Sequence, residues 1–174
     1  MAGDADILGA IDALGTTTWS GIAFRHTSEG RAPLSGEGAR QAGGRWNPPG
    51  VPAIYLAETL ETCIAEFRRM AGGQARGPIS FRRTLHRIRV SGLSVLDVST
   101  ETAMESVRLT YSDVTSDDRT VCQGIGYLAR YLGIEAVLAL SATGRGRAIA
   151  VFPDVDQAAS KLEVIESQPM LRSI

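Results

Sequence analysis

Five residues in this chain are of the types, and in the settings, that a chemical site needs. Arg25 closes an alternating, strand-like stretch. Arg45 lies in Gly43-Gly44-Arg45-Trp46-Asn47, at the end of a glycine-broken segment. Tyr55 falls in the next short apolar run, and Glu66 lies on the helical pattern after it, beside the apolar stripe rather than within it. Ser141 ends a later strand. Arginine forks suit phosphate oxygens, and a glycine-rich loop lets backbone amides approach a ligand. A tyrosine offers a flat face to a ring. Together these parts suit an anionic ligand that also carries an aromatic ring.

Each residue also has an ordinary reading. Arg25 and Arg45 could form structural ion pairs with Glu37 or Glu58, Glu66 could be a surface helix charge, and a serine at a strand end is commonplace. Trp46 reads best as a core aromatic.

The elements that must position these residues follow from the patterning. Trp19–Arg25 alternates as a strand, and Gly30–Gly50, with five glycines before Trp46, reads as an irregular segment. Pro52–Leu56 reads as a buried strand. Thr59 then caps a helix with Leu60, Cys63, Ile64, Phe67 and Met70 on one stripe, ended by Gly72-Gly73. Arg83–Val90 and Ser94–Val98 suggest two strands, and Thr100–Leu109 a short helix. A firmer helix, capped by Ser116 or Asp117, carries Val121, Ile125, Leu128 and Leu132 and stops at Gly133. Ile134–Leu140 and Ala148–Phe152 form a hairpin around a basic tip, and Leu162–Ile165 gives a last weak strand. Without a regular βαβ rhythm, the expected class is α+β: one domain over 16–174, after an N-terminal extension over 1–15.

Bulk composition narrows the function. With 18 Lys and Arg against 19 Asp and Glu, no global field attracts nucleic acid or an anionic membrane. The first fifteen residues hold Asp4, Asp6 and Asp12 but no basic residue, unlike a secretory leader, and no apolar run spans a bilayer. A soluble, cytoplasmic chain is expected, with Cys63 and Cys122 as buried free thiols. His26 and His86 lie in no cluster of metal-ligand spacing, so no metal is expected, and His86 reads as a satisfied strand residue. Arg82-Arg83 with Arg87 and Arg89 reads as a solvated edge that discourages strand pairing. Gly124-Ile125-Gly126-Tyr127-Leu128-Ala129 matches a dinucleotide fingerprint. It follows polar residues rather than a strand, however, and so reads as a helix interior.

The blocks Pro33-Leu34-Ser35-Gly36-Glu37-Gly38-Ala39-Arg40, Gly43 to Gly50 and Ile54-Tyr55-Leu56-Ala57-Glu58-Thr59, with Glu66 after them, resemble the RES-domain family. That family is named for an arginine, a glutamate and a serine. The likeness is dense from Trp19 to about Met70 and returns from Gly133 to Phe152, where Leu140-Ser141-Ala142 is similar to a Pro-Ser-Ala segment. The resemblance implies an ADP-ribosyltransferase-like fold of mixed sheets with flanking helices and a cleft for NAD. In it Arg25, Glu66 and Ser141 are the expected catalytic residues, and Arg25, Arg45, Tyr55 and Ser141 the expected NAD-binding ones. It also implies an NAD-consuming toxin restrained by an antitoxin with a helix-turn-helix DNA-binding domain. Leu140, Ala148 and His26 depart from residues frequent in relatives.

Under that resemblance NAD is a substrate, no cofactor is required, and phosphate is the expected co-substrate. The nicotinamide–ribose bond already carries a pyridinium leaving group that departs neutral, so a histidine-poor site needs no general acid. The difficulty is the oxocarbenium-like charge on the ribose, which a fixed carboxylate such as Glu66 can stabilise. Arginines would hold the pyrophosphate, and Ser141 would orient the ribose or amide. Phosphorolysis to nicotinamide and ADP-ribose 1″-phosphate leads, with hydrolysis beside it. Protein ADP-ribosylation, a non-catalytic nucleotide-binding module and a ribonuclease are the competing readings, and self-association is left open.

Overall fold

The apolar run Ala136–Leu140 (β4) is buried on both faces, as a central strand must be, and the remaining strands arrange themselves around it. The computed structural model of the protein describes residues 3–73 and 82–170. Its strands are β1 (Thr17–Ser28), β2 (Ile54–Ala57), β3 (Arg83–Val98), β4, β5 (Arg147–Val151) and β6 (Leu162–Pro169), in the order β1-β2-β5-β4-β3-β6. An additional β1–β3 pairing closes the first five into a barrel-like sheet, with β6 beside β3. Among the described residues only β3 and β4 run parallel. The result is a mixed α+β single domain.

Alternation along the strands separates the two larger clusters of the core, and Ala57, Cys63 and Leu85 form a third, small one. Ala136 and Leu138 join Ile54, Leu56, Ile88 and Ile149 in one cluster. Val137 and Ala139 join Leu96, Phe152 and the helices in the other. Helix α1 (Asp4–Leu14) belongs to that second core, since Ile11 is 0% exposed. No element was expected there, because one apolar face spread over three aspartates gives a weak periodic signal.

The sequence predicts two strands across Arg83–Val98, whereas β3 is continuous and long enough to serve three neighbours. Gly92, at φ 74°, carries the chain through the join. Arg87 and Arg89 consequently lie on a central strand rather than an edge, and pair with Glu166 and Glu163 across β6. The segment expected to be irregular contains the short helix α2 (Glu37–Ala42). Helix α3 (Leu60–Gly73) is capped as expected, with Thr59 Oγ1 accepting from Thr62 N at 3.2 Å. Helix α4 (Glu101–Ser106) is the short helix anticipated within Thr100–Leu109, and α5 (Tyr111–Thr115) is a further helix beyond it.

Helix α6 (Thr120–Tyr131) starts later than the anticipated caps, where Asp118 accepts from Thr120 N at 2.9 Å. Its buried residues are Cys122, Ile125, Gly126 and Ala129, a face turned slightly from the expected stripe, and Val121 is exposed. The reason is steric. A Cβ on Gly126 would lie 1.8 Å from the Trp46 carbonyl oxygen, so only glycine lets the helix approach. The fingerprint-like glycines are therefore packing residues inside a helix.

Candidate active site

Strands β1 and β2 pair only at Phe24↔Ala57, and a cleft of about 420 Å³ lies along them, within the usual range for small-molecule sites. Its wall includes Arg25, Tyr55 and Glu66, which are far apart in sequence and carried by β1, β2 and α3.

Arg25 donates from Nη2 to the Ser35 carbonyl at 2.9 Å. Its Nε and Nη1 are buried and have no hydrogen-bond partner. Burial, reinforced by the nearby Arg83 charge, brings its pKa down to about 10, still well above neutrality. A buried guanidinium with two unanswered nitrogens is costly unless a ligand supplies the acceptors. Glu37 and Glu58 do not supply them, because Glu37 pairs with Arg40 and Glu58 with Arg147.

Glu66 is half-buried and forms no ion pair among the described residues. Ser141 Oγ donates to its Oε1 at 2.9 Å. Burial raises the carboxyl's pKa, and the Ser141 hydrogen bond with the more distant Arg45 and Arg69 charges partly offsets that rise. Ser141 is 0% exposed, and its hydroxyl also meets Thr143 Oγ1 at 2.9 Å and accepts from Thr143 N at 3.3 Å. The turn after β4 thus fixes the serine, and the serine fixes the carboxylate. Glu135 is buried outright, but Lys161 Nζ at 2.8 Å and Ser94 N at 2.9 Å already answer it.

Tyr55 contributes its ring to the wall while its hydroxyl is held on both sides. It accepts from Trp46 N at 2.8 Å and donates to Asn47 Oδ1 at 2.6 Å. Asn47 Nδ2 donates in turn to the carbonyls of Ala39 and Val51 at 2.8 and 2.7 Å. Trp46, 2% exposed, is a core aromatic as expected. Gly44 lines the cleft against this knot, where a Cβ would come within 2.4 Å of Tyr55 Oη. The glycine loop does not offer its amides in the expected way: Gly43 N donates to Ala39 O at 2.8 Å and Gly44 N to Asn47 O at 2.9 Å. Its contribution is shape.

Arg45 stands outside the lining residues, so the expected pairing with Arg25 as two arms of one clamp finds only Arg25 in the wall. Its terminal nitrogens donate to the carbonyls of Asp113, Ser116 and Asp118 at 3.0, 2.7 and 3.4 Å. Arg69 donates to Thr115 O at 2.9 Å. These carbonyls lie at and beyond the C-terminal end of α5, where helix carbonyls lack intrahelical partners and favour cations.

Arg31 and Arg83 also line the cleft, and sequence reasoning missed both. Arg83 was grouped with the surface arginines of β3, and only the register Ser28↔Arg83 reveals its side of the sheet. His86 is satisfied as expected, by Thr27 Oγ1 at 2.9 Å and Ser167 Oγ at 2.7 Å. Both cysteines are free and buried, and burial pushes Cys63 up to about 12 and Cys122 to about 11. Among the described residues there is no group of three potential metal ligands and no helix long and apolar enough to cross a membrane.

The fold has known relatives. The family model described as RES domain matches residues 18–173. Proteins named NAD(+) phosphorylase MbcT, from Mycobacterium tuberculosis and Mycobacterium bovis, are 40% identical over 153 residues, covering 86% of this chain and 82% of theirs. A chain in the crystal structure of the M. tuberculosis MbcT–MbcA toxin–antitoxin complex superposes with a TM-score of 0.88. It is 36% identical, and the match covers 95% of this chain and 92% of that one.

Proposed function

The chain belongs to the RES-domain family, and from that premise we propose that it is a toxin-like enzyme that cleaves the nicotinamide–ribose bond of NAD by phosphorolysis. One observation carries the reading: a carboxylate without an ion pair, fixed by a buried serine, shares a cleft with a buried guanidinium that lacks acceptors. The cleft thus holds a group suited to a developing cation beside one suited to an anion. NAD brings both charges in one molecule, and the likeness to NAD(+) phosphorylases points the same way.

In the proposed reaction a phosphate oxygen attacks C1 of the nicotinamide ribose. The C–N bond breaks, its electron pair returns to the ring nitrogen, and nicotinamide leaves neutral. The other product is ADP-ribose 1″-phosphate. Glu66 faces the ribose and stabilises its developing positive charge. Ser141 keeps that carboxylate in place and favours its charged form. Arg25 takes phosphate oxygens, and Tyr55 presents a flat wall for a ring. Arg45 acts indirectly in this scheme, by tying the Tyr55–Asn47 loop to the α5–α6 junction. No step requires a metal or a bound cofactor, and the ADP-ribosyltransferase-like comparison remains a reading of the fold. A cytoplasmic location is part of the proposal, since the substrate would be cellular NAD, and the complex of its structural relative favours a protein antitoxin as partner. That partner's DNA-binding domain is part of the same proposal.

The test is to incubate purified protein with NAD, with and without inorganic phosphate, and to identify products by chromatography and phosphorus NMR. Nicotinamide with ADP-ribose 1″-phosphate, formed only with phosphate, is the expected result. Free ADP-ribose would make the enzyme a hydrolase, and label retained on protein would make it a transferase. No loss of NAD would overturn the enzyme reading.

A further inference from the structure

Several arginines outside the cleft have their charge met by carboxylates. Arg87 and Arg89 on β3 face Glu166 and Glu163, while Arg40, Arg130 and Arg147 have carboxylate partners of their own. The three that line the cleft, Arg25, Arg31 and Arg83, have none among the described residues, and Glu66 is the one carboxylate in that wall. The wall therefore carries an excess of two positive charges, the charge that a diphosphate or a phosphate dianion would neutralise.

Arg83 is held in place by neutral acceptors. Its Nε and Nη2 lie 3.1 and 2.6 Å from His26 Nδ1, and its Nη1 donates to Ser28 Oγ at 2.9 Å. His26 packs edge-on against Phe67 of α3, with ring centroids 5.3 Å apart. Burial and the neighbouring arginines push the histidine down to about 4, so its ring stays neutral and Nδ1 keeps the lone pair that Arg83 needs. A fork oriented by neutral groups retains its full charge for a ligand, whereas a carboxylate would have neutralised it.

We propose that Arg83, oriented by His26 and backed by Arg31, is the second arm of an anion seat with Arg25 and binds phosphate oxygens in the cleft. The seat rests on the NAD-cleaving reading for its role in turnover. The same chemistry has two sources there, the pyrophosphate of the dinucleotide and the inorganic phosphate acceptor. In this scheme Arg83 touches substrate, and His26 is a positioning residue.

The experiment compares the whole protein with its Arg83→Gln and Arg83→Lys variants, measuring kcat and KM for NAD and for phosphate separately. A rise of about tenfold or more in one KM, with a smaller change in kcat, is expected from a lost charge-assisted contact. A rise in the NAD constant assigns the seat to the pyrophosphate, and a rise in the phosphate constant assigns it to the acceptor. His26→Phe should raise the same constant by less. Thermal melts without ligand check folding, and Arg83→Lys, which keeps the charge, decides if Arg83→Gln is unstable. Both KM values within twofold of wild type in a folded variant would overturn the seat. If the wild type consumes no NAD, inorganic pyrophosphate alone is the probe. Protection of the wild type against melting, reduced in Arg83→Gln, upholds the seat, and equal protection overturns it.

Discussion

On the cleft wall Glu66 is met by a hydroxyl, and that hydroxyl is itself fixed by Thr143. On the same wall Arg25 keeps two buried nitrogens without any acceptor. The carboxylate is prepared and the guanidinium is left waiting. A group that must stabilise charge developing during a reaction gains from being fixed beforehand, because no reorganisation remains at the moment of reaction. A group that binds gains from keeping its donors for the ligand. The difference predicts that substitutions at the two residues fail in different ways.

The largest effect is expected at the prepared carboxylate. Glu66→Gln keeps the shape and removes the charge, and turnover should fall by roughly 10²–10³-fold. Steady-state kinetics on NAD check this, and normal turnover by a folded variant would remove Glu66 from the chemistry. At the waiting guanidinium, Arg25→Lys should weaken NAD binding nearly as much as Arg25→Ala, by about tenfold or more, because an ammonium cannot reproduce the fork. Its melting temperature should fall by little, since Nη2 alone of the three nitrogens makes an internal bond, to the Ser35 carbonyl, and the other two make none.

Ser141→Ala sharpens the comparison with a smaller effect, about tenfold in kcat. Its hydrogen bond holds the Glu66 pKa down against burial, so its loss should move the acid limb of the pH–rate profile to higher pH. An acid limb that stays in place would mean that the serine does not tune the carboxylate. The smallest effect concerns stability. Because Glu66 has its pKa raised in the folded state, its ionisation opposes folding as pH rises above the ordinary carboxylate range. Glu66→Gln should therefore melt at or slightly above wild type at pH 7, by roughly 1–3 °C, and the two should converge near pH 4. A clearly less stable variant at pH 7 would contradict the burial argument.

Much of this contrast could be read from residue order. Arg25, Glu66 and Tyr55 do meet in one cleft, and Ser141 touches Glu66. The helix periodicities, the β4–β5 hairpin and the core role of Trp46 were equally legible, because they depend on local spacing. What could not be read depends on pairing between distant strands. The register of β1 against β3 brings Arg83 to Ser28 and makes a central strand of an expected edge. Arg45 illustrates the same limit: its residue type suits phosphate, but only the fold reveals the carbonyls of 113–118 that occupy it. The glycine loop looked like an amide cradle, yet its amides are closed on Ala39 and Asn47.

The separation of tasks along the cleft can be measured directly by titrating NAD calorimetrically, without phosphate, into Glu66→Gln and into the double variant Glu66→Gln, Arg25→Lys. The single variant should bind NAD and turn it over too slowly to disturb the titration, and the double variant should bind at least about tenfold more weakly. Failure of the single variant to bind NAD, or equal affinity in the two, would contradict a carboxylate kept for the reaction and a guanidinium kept for the ligand.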